Sequence, residues 1–215
     1  MVKIRSFNKE DRAAVRQICC DVADRGETIE NFFPDREFAA DLLTAYYTDY
    51  EPESSFVAEV DGKVVAYING CLDNRRYGLV LLFLIIPQLI VKGLIRGVFF
   101  RFEFWQIFKV MLKNWRRVFI WRKKSFHSYQ GHLHIGIIKI FREQQIGRQL
   151  VNTLLAYAKG KNSQELTASV HEGNAIACSF FEHLGFIAKE RNSMVMAYGN
   201  SVKEYTSISY VKTIV

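Results

Sequence analysis

The strongest local signal in the sequence is a β-hairpin in the first third of the chain. Asp61 and Gly62 separate two apolar runs, residues 55–60 and 63–71, which are rich in Val, Ile and aromatic residues. Asp-Gly is a preferred pair for a two-residue hairpin turn, so the two runs are predicted to form paired antiparallel strands. Any fold for this chain must therefore include a sheet that is at least partly antiparallel.

Strand-like and helix-like patterns alternate through the rest of the sequence. Alternating or apolar runs predict further strands at residues 2–7, 130–140, 165–170, 186–190 and 194–198. Helical periodicity and capping residues predict helices after Asn8, at residues 35–48, near Ile146 and after Asn174. This order predicts an α/β (α+β) fold with a mixed sheet.

Positive charge is concentrated in one segment. The chain of 215 residues has a net charge of +7, but residues 75–124 contain twelve basic residues and one acidic residue. The remainder is slightly acidic, and all three tryptophans (Trp105, Trp115 and Trp121) lie in the basic segment. Because 49% of the residues are hydrophobic and only three are proline, a disordered chain is excluded. The pattern indicates a folded domain with a basic, aromatic insert.

The insert contains the best candidate for a membrane-spanning helix, residues 79–100. Its apolar run is interrupted at Pro87, and Lys92 and Arg96 follow, so the sequence disfavours a span. The alternatives are a helical cap packed on the main domain and a helix that lies on an anionic lipid surface. Residues 78–124 are therefore candidates for peripheral membrane contact or for contact between two copies of the chain.

The remaining composition narrows the partners and the compartment. Nucleic acid is not favoured, because the cations are interleaved with Leu, Ile and Phe and no nucleic-acid motif accompanies them. The four cysteines show no CxxC pair and no metal-ligand spacing, which predicts buried free thiols and no metal. The start of the chain is charged and shows no signal peptide, so we expect a cytoplasmic protein that is either free or peripheral to the membrane.

The clearest functional signal is a strand that runs directly into a helix. The junction reads IKIFREQQIGRQL, with Arg142, Gly147 and Arg148 around the predicted first helical turn. The first turn of a helix has free backbone N–H groups, and its dipole favours an anion. Gly147 allows close backbone approach, and the two arginines add positive charge. These features are typical of a phosphate-binding turn.

Together with a later block, this turn resembles the GNAT acyltransferase superfamily. That family has the pattern R/Q-x-x-G-x-G/A for the acyl-CoA pyrophosphate, followed by an N…A…(F/L)-Y-x-x-x-G-F block. The chain matches these patterns at Arg142, Gly147, Asn174, Ala177, Gly185 and Phe186. The resemblance covers about residues 2–74 and 128–198, and it looks closest to the branch related to the acetyltransferase-like domain of O-GlcNAcases.

The resemblance implies a fold and a domain plan. A single GNAT-like acyltransferase domain would extend over residues 1–200, interrupted by the insert at residues 75–127, and a tail would follow at residues 201–215. The central sheet would be mixed and mostly antiparallel, with helices on its faces. The helical insert would lie between the third and fourth strands.

The resemblance also implies the transfer of an acetyl or other acyl group from acyl-CoA to an amine. Acetyl-CoA would be the co-substrate, no metal would take part, and the acceptor would be a small-molecule or peptide amine. The backbone N–H near Ile137 would stabilise charge that develops on the thioester carbonyl. The cofactor-binding residues implied by the resemblance are Ile137, Ile138, Lys139, Arg142, Gln144, Gln145, Ile146, Gly147, Arg148, Asn174 and Phe181.

His132 and His134 are the candidate catalytic bases. They lie on one face of the predicted strand beside the acyl site, where either could take a proton from the attacking amine; the alternative for each is a hydrogen-bonded packing role. Three departures from the family pattern bear on activity. Gln145 replaces the first glycine of the loop, Phe181 replaces the tyrosine that often protonates the leaving thiolate, and Gly136 stands where the branch often has an acid.

Three hypotheses follow from the sequence. The chain is an active N-acyltransferase, a catalytically inactive acetyl-CoA-binding or interaction module of the same fold, or an acyltransferase that works at a membrane surface through its insert. The departures at Gln145 and Phe181 favour the second hypothesis. The basic, aromatic insert favours the third.

Overall fold

The computed structural model describes residues 2–23, 28–31, 33, 35–113, 129–142, 144–198 and 201–214. Its strands are β1 (Val2–Ser6), β2 (Ser55–Val60), β3 (Lys63–Cys71), β4 (Gly131–Ile137), β5 (Glu165–His171), β6 (Ile187–Tyr198) and β7 (Ser201–Thr213). Its α-helices are α1 (Arg12–Asp21), α2 (Arg36–Ala45), α3 (Asn74–Val80), α4 (Ile86–Ile95), α5 (Phe102–Lys113), α6 (Ile146–Gly160) and α7 (Ala175–His183). Two π-helical segments, Tyr46–Tyr50 and Leu81–Ile85, continue α2 and join α3 to α4.

The strands form one sheet in the order β1-β2-β3-β4-β5-β7-β6. Every neighbouring pair is antiparallel except β4 and β5, which are parallel. Helices flank the sheet, and the described part of the insert is helical and lies between the third and fourth strands. The predicted fold class is confirmed.

The hairpin around Asp61 and Gly62 is present with its predicted boundaries. Asp61 and Gly62 both have positive φ angles, 49° and 77°, and Val60 lies opposite Lys63. Two consecutive positive φ angles match the right-handed twist of the flanking strands, which is why Asp-Gly suits this turn.

The two faces of the sheet are covered by different helices. On one face, Leu150 and Leu154 of α6 and Phe181 of α7 join a core with Ile68 of β3 and Leu166 of β5. On the other face, Val15 and Ile18 of α1 pack with Val57 and Tyr67. Both sides of β3 are therefore buried, and the neighbouring β4 is placed at the centre of the sheet.

The end of the chain differs from the sequence prediction. Residues 201–213, predicted as a tail with a candidate extra strand of unknown role, form β7 and pair with both β5 and β6. The two strands predicted at 186–190 and 194–198 are a single strand, because the pairing with β7 continues through Arg191, Asn192 and Ser193. Backbone pairing on both edges of β7 explains why its many serines and threonines are compatible with a position inside the sheet.

The described part of the insert is docked on α2. Leu81, Ile85 and Leu89 are buried in a cluster with Tyr46 and Tyr47. Residues 114–127, the rest of the predicted insert, lie outside the described residues together with Trp115 and Trp121.

Ion pairs add to this docking. Lys92 Nζ lies 2.7 Å from Asp41 Oδ2, and Arg96 lies 3.1 Å from Asp35 Oδ2. The cations that disfavoured a membrane span in the sequence thus pair with acids of the domain.

Candidate functional site

The centre of the sheet contains a gap between its two parallel strands. β4 pairs with β3 from His132 to Ile137, but it pairs with β5 only at Gly131 and His132. Gly131 has no room for a side chain, because a Cβ there would collide with the carbonyl oxygen of Cys71. Beyond His132 the pairing between the two parallel strands ends, so from Leu133 to Ile137 this edge of β4 has no paired strand among the described residues.

Backbone groups of β4 point into this gap. Ile138 N–H donates to Val65 O at 3.1 Å, so alternation along the antiparallel ladder directs the N–H groups of Ile135 and Ile137 away from β3. In agreement with this, Ile137 O accepts a hydrogen bond of 3.4 Å from Arg142 Nε on the same side. The N–H groups of Ile135 and Ile137 could therefore donate hydrogen bonds to an electron-rich oxygen in the gap.

The N-terminus of α6 lies at the open end of the gap. Gln145, the residue before the helix, has φ 58° and makes no side-chain capping bond. The first helical hydrogen bond that the structure shows there runs from Gln149 N–H to Gln145 O, so the N–H groups of Ile146, Gly147 and Arg148 precede the helical ladder. These donors, with the guanidinium of Arg142, form a site suited to an anion.

Close packing brings this helix to β4. Gly147 is buried, and a Cβ there would lie 3.1 Å from both Ile137 Cδ1 and a ring carbon of Phe180. A larger residue would push the first turn of α6 away from the strand. The structure thus gives Gly147 a packing role next to the binding role that the sequence predicted.

Nine of the residues proposed to bind the cofactor are grouped at the end of β4 and the start of α6. They are Ile137, Ile138, Lys139, Arg142, Gln144, Gln145, Ile146, Gly147 and Arg148.

The two remaining cofactor residues have structural roles. Asn174 caps α7, because its Oδ1 accepts from Ala177 N–H at 3.1 Å. Phe181 is only 4% exposed and lies in the core between Phe186 and Tyr210. Its neighbour Phe180 is the aromatic residue beside Gly147, a position that the sequence pattern alone did not reveal.

His132 is held by hydrogen bonds on both ring nitrogens. Asn74 Nδ2 donates to Tyr129 O at 2.8 Å, which turns Asn74 Oδ1 toward His132 Nδ1 as an acceptor. Nδ1 therefore carries the proton, and Nε2 accepts from the hydroxyl of Tyr47. The ring also contacts Tyr77 edge-on at 4.8 Å. This arrangement supports the packing alternative for His132.

His134 has fewer hydrogen-bond partners. Its Nδ1 lies 3.1 Å from the hydroxyl of Tyr67, and its Nε2 has no hydrogen bond to the described residues. The Tyr67 ring covers Gly136, since a Cβ at Gly136 would lie 2.5 Å from a ring carbon. The aromatic ring thus occupies the space that a side chain at residue 136 would need. Of the two predicted bases, His134 has the ring nitrogen that is better placed to meet a substrate.

Both histidines are neutral at physiological pH. Burial, together with the charge of the neighbouring His134, lowers the pKa of His132 to about 4, and burial lowers the pKa of His134 to about 4. A neutral imidazole can accept a proton, whereas an imidazolium cannot. Among the described residues, no group of three or more His, Cys, Asp or Glu side chains could hold a metal ion.

The comparisons with known proteins agree with this geometry. The model of the acetyltransferase (GNAT) family matches residues 111–186, which include β4, the anion-suited turn and α7. No curated protein matches the chain.

Solved structures share the fold over the whole chain. A crystal structure described as SsHAT has a TM-score of 0.72 and 21% identity, covering 100% of this chain and 98% of the other. YncA from Salmonella typhimurium, an acetyltransferase solved with its cofactor acetyl-CoA, has a TM-score of 0.59 and 13% identity, covering 100% and 95%. Drosophila melanogaster polyamine N-acetyltransferase has a TM-score of 0.58 and 13% identity, covering 99% and 100%. The family match and these neighbours together support the GNAT acetyltransferase superfamily, and they do not distinguish its branches.

The left-handed backbone at Gln145 leads to a stability prediction. A non-glycine residue in this conformation costs about 1 kcal/mol or more, so Gln145→Gly should stabilise the fold by about 1 kcal/mol. Urea unfolding of the two proteins measures this difference. Gln144→Gly is the matched control, since residue 144 has no positive φ and glycine there should lower stability or leave it unchanged. A loss of stability in Gln145→Gly would show that residue 145 is not left-handed.

The lowered pKa values of the two histidines predict how stability depends on pH. An unfolded histidine titrates near pH 6.5. Between pH 6.5 and about 4, His132 and His134 are therefore protonated in the unfolded chain and neutral in the folded chain. The free energy of unfolding should therefore fall as the pH drops through this window, by up to about 1.4 kcal/mol per pH unit for each histidine.

Urea unfolding between pH 7 and pH 5 measures this slope. His132→Gln and His134→Gln should each reduce it, and His183→Gln on the exposed side of α7 is the matched control. Slopes that stay at the wild-type value in both variants would contradict the burial of the two rings.

Proposed function

We propose that the protein is an N-acyltransferase that moves an acetyl group from acetyl-CoA to an amine. The observation that carries this proposal is that the pairing of β4 and β5 ends after His132, next to a helix N-terminus without a side-chain cap. The unpaired edge of β4 would bind a narrow, extended chain, and the helix N-terminus would bind an anion. A CoA thioester has both parts, a pyrophosphate and a slender pantetheine arm.

The residues of the site would share the work as follows. The N–H groups of Ile146, Gly147 and Arg148, with the side chains of Arg142 and Arg148, would bind the pyrophosphate. The pantetheine arm would lie between β4 and β5. The N–H of Ile137 would donate to the thioester carbonyl and stabilise the negative charge that develops when the amine attacks.

His134 is the base that we assign to the reaction. Its Nε2 has no hydrogen bond to the described residues, and its neutral state would allow it to take a proton from the amine directly or through water. His132 would instead hold the strand in place through Asn74 and Tyr47. Because Phe181 is buried and has no proton to give, the leaving thiolate would take its proton from solvent.

The acceptor that we propose is a primary amine of a small molecule or a peptide. One structural neighbour is a polyamine N-acetyltransferase and another is a ribosomal-protein-alanine N-acetyltransferase, so the fold serves both kinds of acceptor. We place the reaction in the cytoplasm, because all four cysteines are free thiols and Cys19, Cys20 and Cys71 are buried. The likeness to the branch related to O-GlcNAcases stays a proposal from the sequence.

A binding module without catalysis is the second candidate. The observations that favour it are the strained Gln145 in the loop and the buried Phe181. Both candidates require acetyl-CoA to bind, whereas only the first requires CoA thiol to be released when an amine is added.

Charge reversal at Arg148 tests the binding site directly. Arg148 is exposed in the first turn of α6, so Arg148→Glu should weaken acetyl-CoA binding by about tenfold or more while the fold is retained. Isothermal calorimetry measures the affinity. Lys159→Glu, at the exposed far end of the same helix, is the matched control and should bind as the wild type does.

The same proteins separate the two candidates. With an amine panel of polyamines, amino sugars and N-terminal peptides, the enzyme should release CoA thiol, and a module should bind acetyl-CoA without releasing thiol. Wild-type affinity in Arg148→Glu would overturn the assignment of the loop, and no binding by the wild type at millimolar acetyl-CoA would overturn both candidates.

A further inference from the structure

The insert exposes an unusual amount of apolar surface. Of the 16 large hydrophobic side chains that are exposed among the described residues, 13 lie within residues 79–112. They are Leu79, Leu82, Phe83, Leu84, Ile90, Val91, Leu94, Ile95, Phe100, Phe102, Trp105, Phe108 and Leu112. Their combined exposed area is on the order of 1,000 Å², about twice the largest apolar patch of a typical soluble monomer. We call this set of 13 side chains the apolar face.

Much of the apolar face belongs to one long helix. Residues Asn74–Ile95 form 22 continuous helical residues, and an 18-residue window within them has a mean hydropathy of 2.3 and is 22% buried. By length and composition, this segment is long and apolar enough to cross a membrane. Its buried stripe, Leu81, Ile85, Leu89 and Gly93, recurs every four residues and packs on the domain. The other sides of the helix carry the apolar face.

Ion pairs fix the helix along the surface of the domain. Lys92 and Arg96 turn inward to Asp41 and Asp35, and Asp41 also pairs with Arg16 of α1. These groups lie on the buried side of the helix, where a membrane span would have to carry them into hydrocarbon at a cost of several kcal/mol. The geometry therefore favours a helix that lies in the membrane interface with the domain on one side and lipid on the other.

Charge complementarity identifies the kind of lipid. Residues 75–124 contain twelve basic residues and one acidic residue, although the rest of the chain is slightly acidic. Among the described cations of this segment, Arg75 and Lys109 are exposed next to the apolar face. Lysine and arginine near an anionic membrane each contribute about 1 kcal/mol to binding. An apolar face that is flanked by Arg75 and Lys109, in a segment with an excess of basic residues, thus fits an anionic bilayer better than a neutral one.

We propose that the apolar face of residues 79–112 is a membrane-docking surface that enters the interface of an anionic bilayer. This proposal goes beyond acyl transfer and does not depend on the proposed acyltransferase function. A contact between two copies of the chain and a true membrane span are the competing occupants, and the experiment below distinguishes them.

Docking would have a consequence for the substrate, and this consequence rests on the proposed acyltransferase function. Asn74, the first residue of the long helix, is hydrogen-bonded to His132, and Tyr77 packs on the same ring. The helix thus joins the face of the sheet that carries His132 and His134. An amine presented at the membrane surface would meet the site from this side.

Vesicle flotation of the full chain tests the proposal. The probes are vesicles of phosphatidylcholine alone and of phosphatidylcholine mixed with phosphatidylglycerol. The wild type should float with the mixed vesicles and partition into them at least about tenfold more strongly than into the neutral ones. The double variant Phe83→Glu, Ile95→Glu should lose about tenfold or more of this binding.

The controls separate folding and function from docking. Phe83 and Ile95 are 66% and 80% exposed. Ile187 on β6 is 62% exposed and lies outside the apolar face, so Ile187→Glu is the matched control. This variant should bind vesicles as the wild type does. Acetyl-CoA affinity should be the same in all of these proteins. Loss of acetyl-CoA binding together with normal flotation would contradict the proposed function alone.

A tryptophan experiment needs no change in the apolar face. Trp115→Phe with Trp121→Phe leaves Trp105, which is 47% exposed, as the one tryptophan of the chain. Lipids brominated in the acyl chains should quench its fluorescence.

Four results would overturn the proposal. The wild type could fail to float with the mixed vesicles, or it could float equally well with and without Phe83→Glu and Ile95→Glu. Lipids with brominated acyl chains could leave the fluorescence of Trp105 unquenched. The bound chain could stay in the membrane after an alkaline carbonate wash, which would indicate a true membrane span. A soluble dimer that the Glu variant converts to monomer, without vesicle binding, would assign the face to a second copy instead.

Discussion

The structure depends on how β4 is held at the centre of the sheet. β3 binds it along its length, whereas β5 binds only its first two residues, with Gly131 at the crowded point between them. Pairing on one edge fixes the position of the strand, and the end of pairing on the other leaves the N–H groups of Ile135 and Ile137 without a strand partner. The anion-suited turn of α6 follows directly from the end of this strand, so one strand positions both parts of the proposed cofactor site.

A second set of contacts ties the insert to that strand. Asn74, directly before the insert, donates to the carbonyl of Tyr129, just after it, and accepts from His132 on β4, so it joins the two flanks of the insert at the sheet. Tyr46, Tyr47 and Tyr77 surround these groups with aromatic rings. The insert is therefore part of the wall on the His132 side of the sheet, and its apolar face is turned away from that wall. This arrangement places the proposed lipid contact and the proposed acceptor side in one region of the molecule.

Local sequence patterns predicted the structural features that depend on residues close together in the chain. Asp61-Gly62 predicted its hairpin, and the Arg142–Gly147 spacing predicted a turn at the start of a helix. Contacts between distant residues could not be predicted in this way. The bonds of His132 to Asn74 and Tyr47 span 58 and 85 residues, and β7 lies inside the sheet because strands on both sides pair with it. Lys92 and Arg96 looked unfavourable in an apolar helix because the sequence does not show their ion-pair partners, Asp41 on α2 and Asp35 just before it.

A crystal structure of the chain with bound acetyl-CoA tests the central claim most directly. The account predicts the pyrophosphate at the N–H groups of Ile146, Gly147 and Arg148, the pantetheine arm between β4 and β5, and the thioester carbonyl within hydrogen-bond distance of Ile137 N–H. Acetyl-CoA bound elsewhere, or a gap that stays closed at saturating acetyl-CoA, would contradict it.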